Sequence, residues 1–230
     1  MDPEVCKASI FRMGAICACI ASFSYVLIVI CALLSPQAVA SYVASKTYFI
    51  EFESYENYFI FLKCLMLIAN AAMMGVVIAL YQLREIKYEG WVTFFSLISI
   101  VGLGIGMLQS ILDATQVPHL AMEYEKSSEA IRHVIIAFGV ANPAIYTISL
   151  GCPGIWFILI NILYIKKFPN FLVVLGVAWG IGSIATVIAH LFVIIWLIYF
   201  VAASALIAAP LWGVWQARYL LKKANQLEKV

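Results

Sequence analysis

Long apolar stretches separated by short polar segments run through the whole chain. A helix that crosses a bilayer needs about 20 predominantly apolar residues. Six stretches have roughly that length or more: 13–34, 58–83, 91–112, 133–165, 171–189 and 193–218. The pattern predicts an all-α fold, a polytopic transmembrane bundle of six helices that forms a single domain over residues 1–230.

Two parts of this pattern are irregular. The fourth stretch is too long for one straight crossing and contains Asn142-Pro143 and Pro153. It is either one crossing kinked at one of these prolines or a broken pair of helices. Residues 171–217 have about twice the length of one span, which predicts two crossings joined by a tight turn near His190.

The distribution of lysine and arginine predicts the orientation. Ten of them lie on one side of the predicted spans and three on the other, as expected for cytoplasmic and outer segments. The inner residues are Lys7, Arg12, Arg84, Lys87, Lys166, Lys167, Arg218, Lys222, Lys223 and Lys229, and the outer ones are Lys46, Lys126 and Arg132. We therefore expect a multi-pass protein of the inner (plasma) membrane with both termini cytoplasmic. We also expect a single crossing over 133–165, because a broken pair would place Lys166 and Lys167 outside.

Composition leads to the same class. Hydrophobic residues make up 65% of the chain and charged residues 11%, so the polar residues are too few to cover the apolar surface in water. The bilayer is therefore the expected surrounding. A net charge of +2 without a basic stripe excludes a nucleic-acid partner.

The two predicted outer segments, 35–57 and 113–132, are acidic. Acidic and aromatic residues alternate from Phe49 to Glu53, which predicts an interfacial segment with its rings at the level of the lipid headgroups. Ser127 or Ser128 followed by Glu129 predicts the N-terminal cap of the fourth helix. We expect structural roles for both features rather than ligand binding.

Small residues recur at four-residue spacing in several spans. The sets are Gly102 and Gly106, Gly176 and Gly180, Gly14, Ala18 and Ser22, and Ala71, Gly75 and Ala79. Such faces let helix backbones approach closely in lipid. They predict a compact bundle, and the same pattern would also serve a homo-oligomer or a partner membrane subunit.

Polar residues inside the predicted spans are the candidate binding residues. Lys63 is the one basic residue within a span, near its outer end, and its long stem would let it reach outward towards Glu56 or Asp113. Asn70, Gln109, Asn142 and Asn161 favour interhelical hydrogen bonds over ligand contacts. The Asn142-Pro143 break would free a backbone carbonyl, and such breaks line transport sites.

The histidines suggest a different chemistry. His119, His133 and His190 all fall at the predicted outer face, close to Asp113. Three histidines and a carboxylate would hold zinc with an open water position, the arrangement of a metal hydrolase. However, the spacing matches no metal motif, and the six cysteines form no CxxC pair, so we predict no cofactor and keep zinc as an alternative.

Three segments resemble a known family. They are Phe11-Arg12-Met13-Gly14, the glycine-rich Gly151-Cys152-Pro153-Gly154, and Lys167 to Gly176 with its basic residue, proline, aromatic residue, leucine and glycine in order. This pattern is similar to that of the bacterial six-helix membrane family catalogued as domain of unknown function 4386. Phe171 stands where that family often has tryptophan. The resemblance implies the six-helix plan and carries no activity.

No catalytic triad, Walker loop or dinucleotide fingerprint occurs in the sequence. We therefore expect a protein without catalytic chemistry that handles a small solute or lipid, or acts as an accessory subunit of a membrane complex. One alternative is the metal-dependent hydrolase at the outer face. The other is a transporter with its site at the Asn142-Pro143 break, near Asn70 and Gln109.

Overall fold

A computed structural model describes residues 3–34, 46–138, 143–192 and 194–228, and the regular structure within these ranges is entirely helical. The α-helices are α1 (Pro3–Leu34), α2 (Lys46–Phe52), α3 (Glu56–Tyr81), α4 (Glu89–Lys126), α5 (Glu129–Phe138), α6 (Pro143–Leu163), α7 (Asn170–Leu191) and α8 (Ile195–Leu227). Short 3₁₀ turns, Glu53–Tyr55 and Ile86–Tyr88, precede α3 and α4. The predicted all-α fold is therefore confirmed.

Within the described residues, six long helices form a closed ring. In order around the ring, α1 packs on α3, α3 on α4, α4 on α6, α6 on α7, α7 on α8, and α8 again on α1. Arg12 near the start of α1 pairs with Glu228 after α8 at 2.5 Å. The start of α1 and the end of α8 therefore lie at the same end of the bundle, which we call the terminal end.

Aromatic side chains fill the centre of the ring. The Phe157 ring centroid lies 3.9 Å from that of Trp179 and 5.0 Å from that of Trp212, and Trp156 and Trp212 are almost fully buried. Aromatic residues bury large apolar areas and hold well-defined edge and stacked contacts. The middle of the described bundle is therefore packed with side chains.

Apolar length agrees with a membrane environment. Over the described residues, four helical segments are long and apolar enough to cross a membrane, and Thr147–Leu163 is a shorter apolar helix. The four are Glu4–Cys31, Glu53–Tyr81, Ile86–Lys126 and Asn170–Ala189. The helix break predicted near His190 is confirmed, because α7 ends at Leu191 and α8 begins at Ile195.

The predicted end of the third span at residue 112, with an outer loop over 113–132, is wrong. Helix α4 continues through Pro118 to Lys126, giving 38 residues. At about 1.5 Å per residue it is roughly 57 Å long, nearly twice the hydrocarbon thickness. Val117, Ala121 and Tyr124 repeat at helical spacing and are buried, so tertiary packing overrides the helix-ending tendency of the proline.

The predicted fourth span is described as two helices. Helix α5 begins at Glu129, directly after Ser128, as the capping pattern predicted. Helix α6 begins at Pro143, a favourable first position for proline, and continues through Pro153. Residues 139–142, with the predicted Asn142 break, lie outside the described residues, so the single kinked crossing stays a prediction.

A small subdomain packs around α4 and against Phe59 of α3 at the end of the ring opposite the termini. We call it the cap, and it consists of α2, the part of α4 beyond Asp113, and α5. Its buried cluster comprises Tyr48, Phe49, Phe52, Phe59, Val117, Ala121, Tyr124 and Ile135.

The expected exposure of the α2 rings to headgroups is wrong, since Tyr48, Phe49 and Phe52 are each 1% exposed and Phe49 stacks on Tyr124 at 4.9 Å. Arg132 donates to the Tyr124 and Glu125 carbonyls, both at 2.8 Å, and so stabilises the end of α4.

The small-residue faces are covered within the chain. A Cβ atom on Gly102 would lie 2.8 Å from Cys152, and one on Gly180 would lie 2.7 Å from the Gly154 carbonyl oxygen. Gly14 packs against Ala79 in the same way, and Gly75 against Cys17. The predicted close helix packing is confirmed, and these faces bind neighbouring helices of the same chain.

Candidate functional site

The buried face of α4 is unusually polar. Its small and polar members follow the helical repeat of three or four residues, with Gln109 and Ser110 adjacent: Ser96, Ser99, Gly102, Gly106, Gln109, Ser110 and Asp113. The opposite face exposes large apolar side chains, including Leu97, Val101, Leu108 and Ile111. A helix that turns its polar face inward and its apolar face outward suits a lipid surrounding.

An ion pair joins α3 to the far end of this polar face. The Lys63 Nζ lies 2.5 Å from Asp113 Oδ2, and the two side chains are only 2% and 9% exposed. Gln109, one turn before Asp113, donates from Nε2 to the other carboxylate oxygen. Both oxygens of Asp113 therefore accept hydrogen bonds from polar side chains.

The position of the pair follows from the register of the two helices. Phe59 on α3 belongs to the buried cluster of the cap and lies one turn before Lys63, whose Nζ is 5.1 Å from the centroid of that ring. Val117, one turn after Asp113, is also in the cap. The pair thus lies at the junction of bundle and cap. The prediction that Lys63 reaches outward towards Glu56 or Asp113 is confirmed for Asp113.

A second pair of polar positions continues the contact between α3 and α4. Asn70 lies two turns after Lys63, and a Cβ atom on Gly106 would lie 2.9 Å from the Asn70 Nδ2. We call the set Lys63, Asn70, Gln109 and Asp113 the polar seam. The candidate binding residues Lys63 and Gln109 therefore meet at Asp113, whereas Asn70 lies further along the same contact between α3 and α4, beside Gly106. Asn142 lies outside the described residues.

The polar face of α4 continues beyond the seam towards the terminal end. Ser96 accepts a hydrogen bond from Trp156 Nε1 at 3.2 Å. Ser99 is fully buried, and its hydroxyl has no hydrogen-bond partner among the described residues. Sequence reasoning missed this face because it treated Gly102 and Gly106 as packing positions alone. The recurrence of serine at the same helical spacing was the available signal.

The candidate zinc ligands are not brought together in the described structure. His119 on α4 and His133 on α5 have exposed side chains, and the carboxylate of Asp113 binds Lys63 and Gln109. His190 lies near the end of α7, and its side chain is outside the described set. Among the side chains that are described, no three of His, Cys, Asp and Glu lie where they could hold a metal ion.

At the terminal end, polar contacts fix the turns between helices. Lys167 donates to the Leu83 carbonyl at 2.5 Å and pairs with Glu85 at 3.0 Å. Arg84 pairs with Glu89 at 2.9 Å, and its guanidinium lies 4.2 Å from the Tyr81 ring. These contacts hold the α3–α4 turn beside the end of α6 and satisfy a carbonyl just beyond the C-terminus of α3.

The described fold is all-helical, and its long apolar helices are compatible with a membrane protein. Comparison of the chain with protein-family models, with curated proteins and with solved structures gives no match. The resemblance to the six-helix bacterial family accordingly stays a prediction.

Proposed function

We propose that the chain is a six-crossing protein of the plasma membrane with both termini in the cytoplasm and the cap outside. Three observations support this orientation. The six long helices close into one ring, the termini share one end, and ten lysines and arginines belong to the segments at that end against three at the other. Cytoplasmic segments carry such an excess of basic residues.

Within this topology, the protein handles a small charged solute at the polar seam and performs no catalysis itself. The observation that carries the proposal is the buried Lys63–Asp113 pair. Charged side chains inside a membrane protein are costly. Where they occur, they commonly mark the pathway of a solute or an ion. A charged solute can replace either partner of such a pair, since the remaining side chain offers the opposite charge.

Other features of the seam support the same function. Gln109 adds an uncharged hydrogen-bonding group beside the pair, and Asn70 adds another two turns further along α3, so a displaced carboxylate or ammonium would meet polar neighbours. The cap closes the seam from the outer side through Phe59 and its neighbours. We infer an occluded site that opens when the cap or α3 moves.

The proposed topology predicts the activity of fused reporters. Alkaline phosphatase needs disulfides and works only outside the cytoplasm. We expect it to be active when fused after Ser127, between α4 and α5, and inactive when fused after Lys87 in the α3–α4 turn. A fluorescent protein fused after Val230 should fluoresce. The reverse activities at Ser127 and Lys87 would contradict the orientation.

The solute proposal predicts a ligand effect that depends on the pair. Acetate, glutamate, lysine and inorganic cations serve as probes, and the midpoint temperature of unfolding is measured in detergent with each. A solute that binds the folded state at about 100 times its Kd stabilises it by about 2.7 kcal/mol, a rise of a few degrees or more. We expect at least one probe to raise the midpoint of the natural protein.

The matched control is the double variant Lys63→Met/Asp113→Leu, which removes both charges and retains apolar volume. We expect it to show none of the ligand-dependent rise. If every probe shifts the two proteins equally, the pair is a structural contact and the proposed function is wrong.

A further inference from the structure

Gln216 is a buried amide with no described partner. It lies on α8 and is 0% exposed, and neither its Nε2 nor its Oε1 forms a hydrogen bond with any described residue. The hydroxyl of Tyr219, one turn further along α8, is likewise buried without a partner in the described ranges. Two neighbouring polar groups of α8 are therefore buried without a partner in the part of the chain that the structure describes.

Contacts on either side of Gln216 show what it faces. Trp212, one turn before it, donates to Asn161 Oδ1 at 3.5 Å and packs on Phe157. Tyr219, one turn after it, packs edge-on against Phe168 at 5.1 Å. Because residues 212, 216 and 219 share one face of the helix, the Gln216 amide points towards the α6 and α7 side of the ring.

Asn161 forms no hydrogen bond with Gln216. Its Nδ2 donates to the Phe157 carbonyl at 2.8 Å, and its Oδ1 accepts from Trp212. The Asn161 side chain is seated directly over Gly176, where no side chain competes for the space. Asn161 is thus held by its own contacts, and the glutamine is left with two donor hydrogens and two acceptor lone pairs.

Proteins satisfy buried polar groups of this kind with internal water, which typically forms two to four hydrogen bonds in a polar site. We propose that Gln216 and Tyr219 form a water-binding site inside the half of the bundle near the termini. Lys223, one further turn along α8, has its Nζ 6.0 Å from the Tyr219 ring and leads to the exposed end of the helix. The proposed water site therefore lies in the opposite half of the bundle from the polar seam.

Radiolytic hydroxyl-radical labelling tests this site, because radicals formed from bound water oxidise neighbouring buried side chains. Trp212 is the reporter, since it is 0% exposed and lies one turn from Gln216. Trp156, 1% exposed and bound to Ser96, is the internal reference. We expect measurable oxidation of Trp212 by mass spectrometry in the natural protein. Its ratio to Trp156 should fall at least about threefold in the Gln216→Leu variant, because the water loses its bonds to the amide and keeps only the Tyr219 hydroxyl, fewer than the two to four that hold an internal water.

Gln226→Leu is the matched control, since it makes the same substitution at an exposed position of the same helix. It should leave the ratio unchanged. Gln216→Met replaces Gln216→Leu if the latter does not fold. An equal ratio in the natural protein and the Gln216 variant overturns the proposal. The test is independent of the solute proposal, because it involves no probe of the polar seam.

Discussion

Replacing Lys63 with methionine is expected to lower the free energy of unfolding by about 3–5 kcal/mol, because it leaves the Asp113 carboxylate buried without its counter-charge. Asp113→Leu should lower the free energy of unfolding by a similar amount, because it leaves the Lys63 ammonium buried without its counter-charge. Both side chains are more than nine-tenths buried, so water offers little compensation. Equilibrium unfolding of the purified protein in mixed micelles measures the loss.

The double variant separates the cost of a broken pair from the value of an intact one. Lys63→Met/Asp113→Leu should recover most of the loss, since replacing a buried ion pair by apolar residues is often neutral or stabilising. Lys166→Met, at an exposed position, should change stability by less than about 0.5 kcal/mol. A cost below about 1 kcal/mol for both single variants would mean that water reaches the pair, contrary to its observed burial.

If the double variant is stable, the ion pair is not needed for folding. Its presence would then require another reason, which the solute proposal supplies. The location supports this reasoning, because the pair lies where α3 and α4 pass from the bundle into the cap. A change in one partner's bonding at that junction can move the cap relative to the ring, since Phe59 contacts both the cap cluster and Lys63.

Much of the bundle can be predicted because its helices follow from apolar length alone. The turn between α7 and α8 needed no glycine or proline signal, since a stretch of twice the span length has to reverse. The extension of α4 beyond Asp113 could not be predicted in this way. Pro118 and the acidic residues after it resemble a loop, and the helix is held by aromatic residues of α2, distant in sequence.

The site was partly predictable for similar reasons. The depth of Lys63 in its span restricts its partners to residues near the same end, and Asp113 was one of the two expected. The contribution of Gln109 was missed although it lies four residues before Asp113, the spacing at which helical side chains meet. Gln216 is not among the amides singled out from the sequence, because it lies near the basic end of the last span, and only the side-chain contacts reveal that it forms no hydrogen bond with a described residue.

Gly180→Ala is expected to destabilise the fold by about 1–3 kcal/mol, because the added methyl group overpacks the contact between α6 and α7. Its Cβ would lie 2.7 Å from the Gly154 carbonyl oxygen and 3.0 Å from the Ile158 backbone nitrogen. Backbone atoms cannot rotate aside as a side chain can, so the two helices would have to separate. Unfolding in mixed micelles again measures the change.

Gly151→Ala on α6 is the matched control. Its Cβ would meet Val187 at 3.7 Å, an ordinary contact, so the variant should gain up to about 1 kcal/mol from the better helix propensity of alanine. Because both substitutions carry the same propensity gain, their difference isolates the cost of packing at Gly180. If Gly180→Ala and Gly151→Ala are equally stable, the contact between α6 and α7 accommodates an added methyl group without strain, and the expectation is wrong. A deficit confined to Gly180 would mean that backbone contact fixes the spacing of these helices, and with it the position of Asn161 between Trp212 and Gly176.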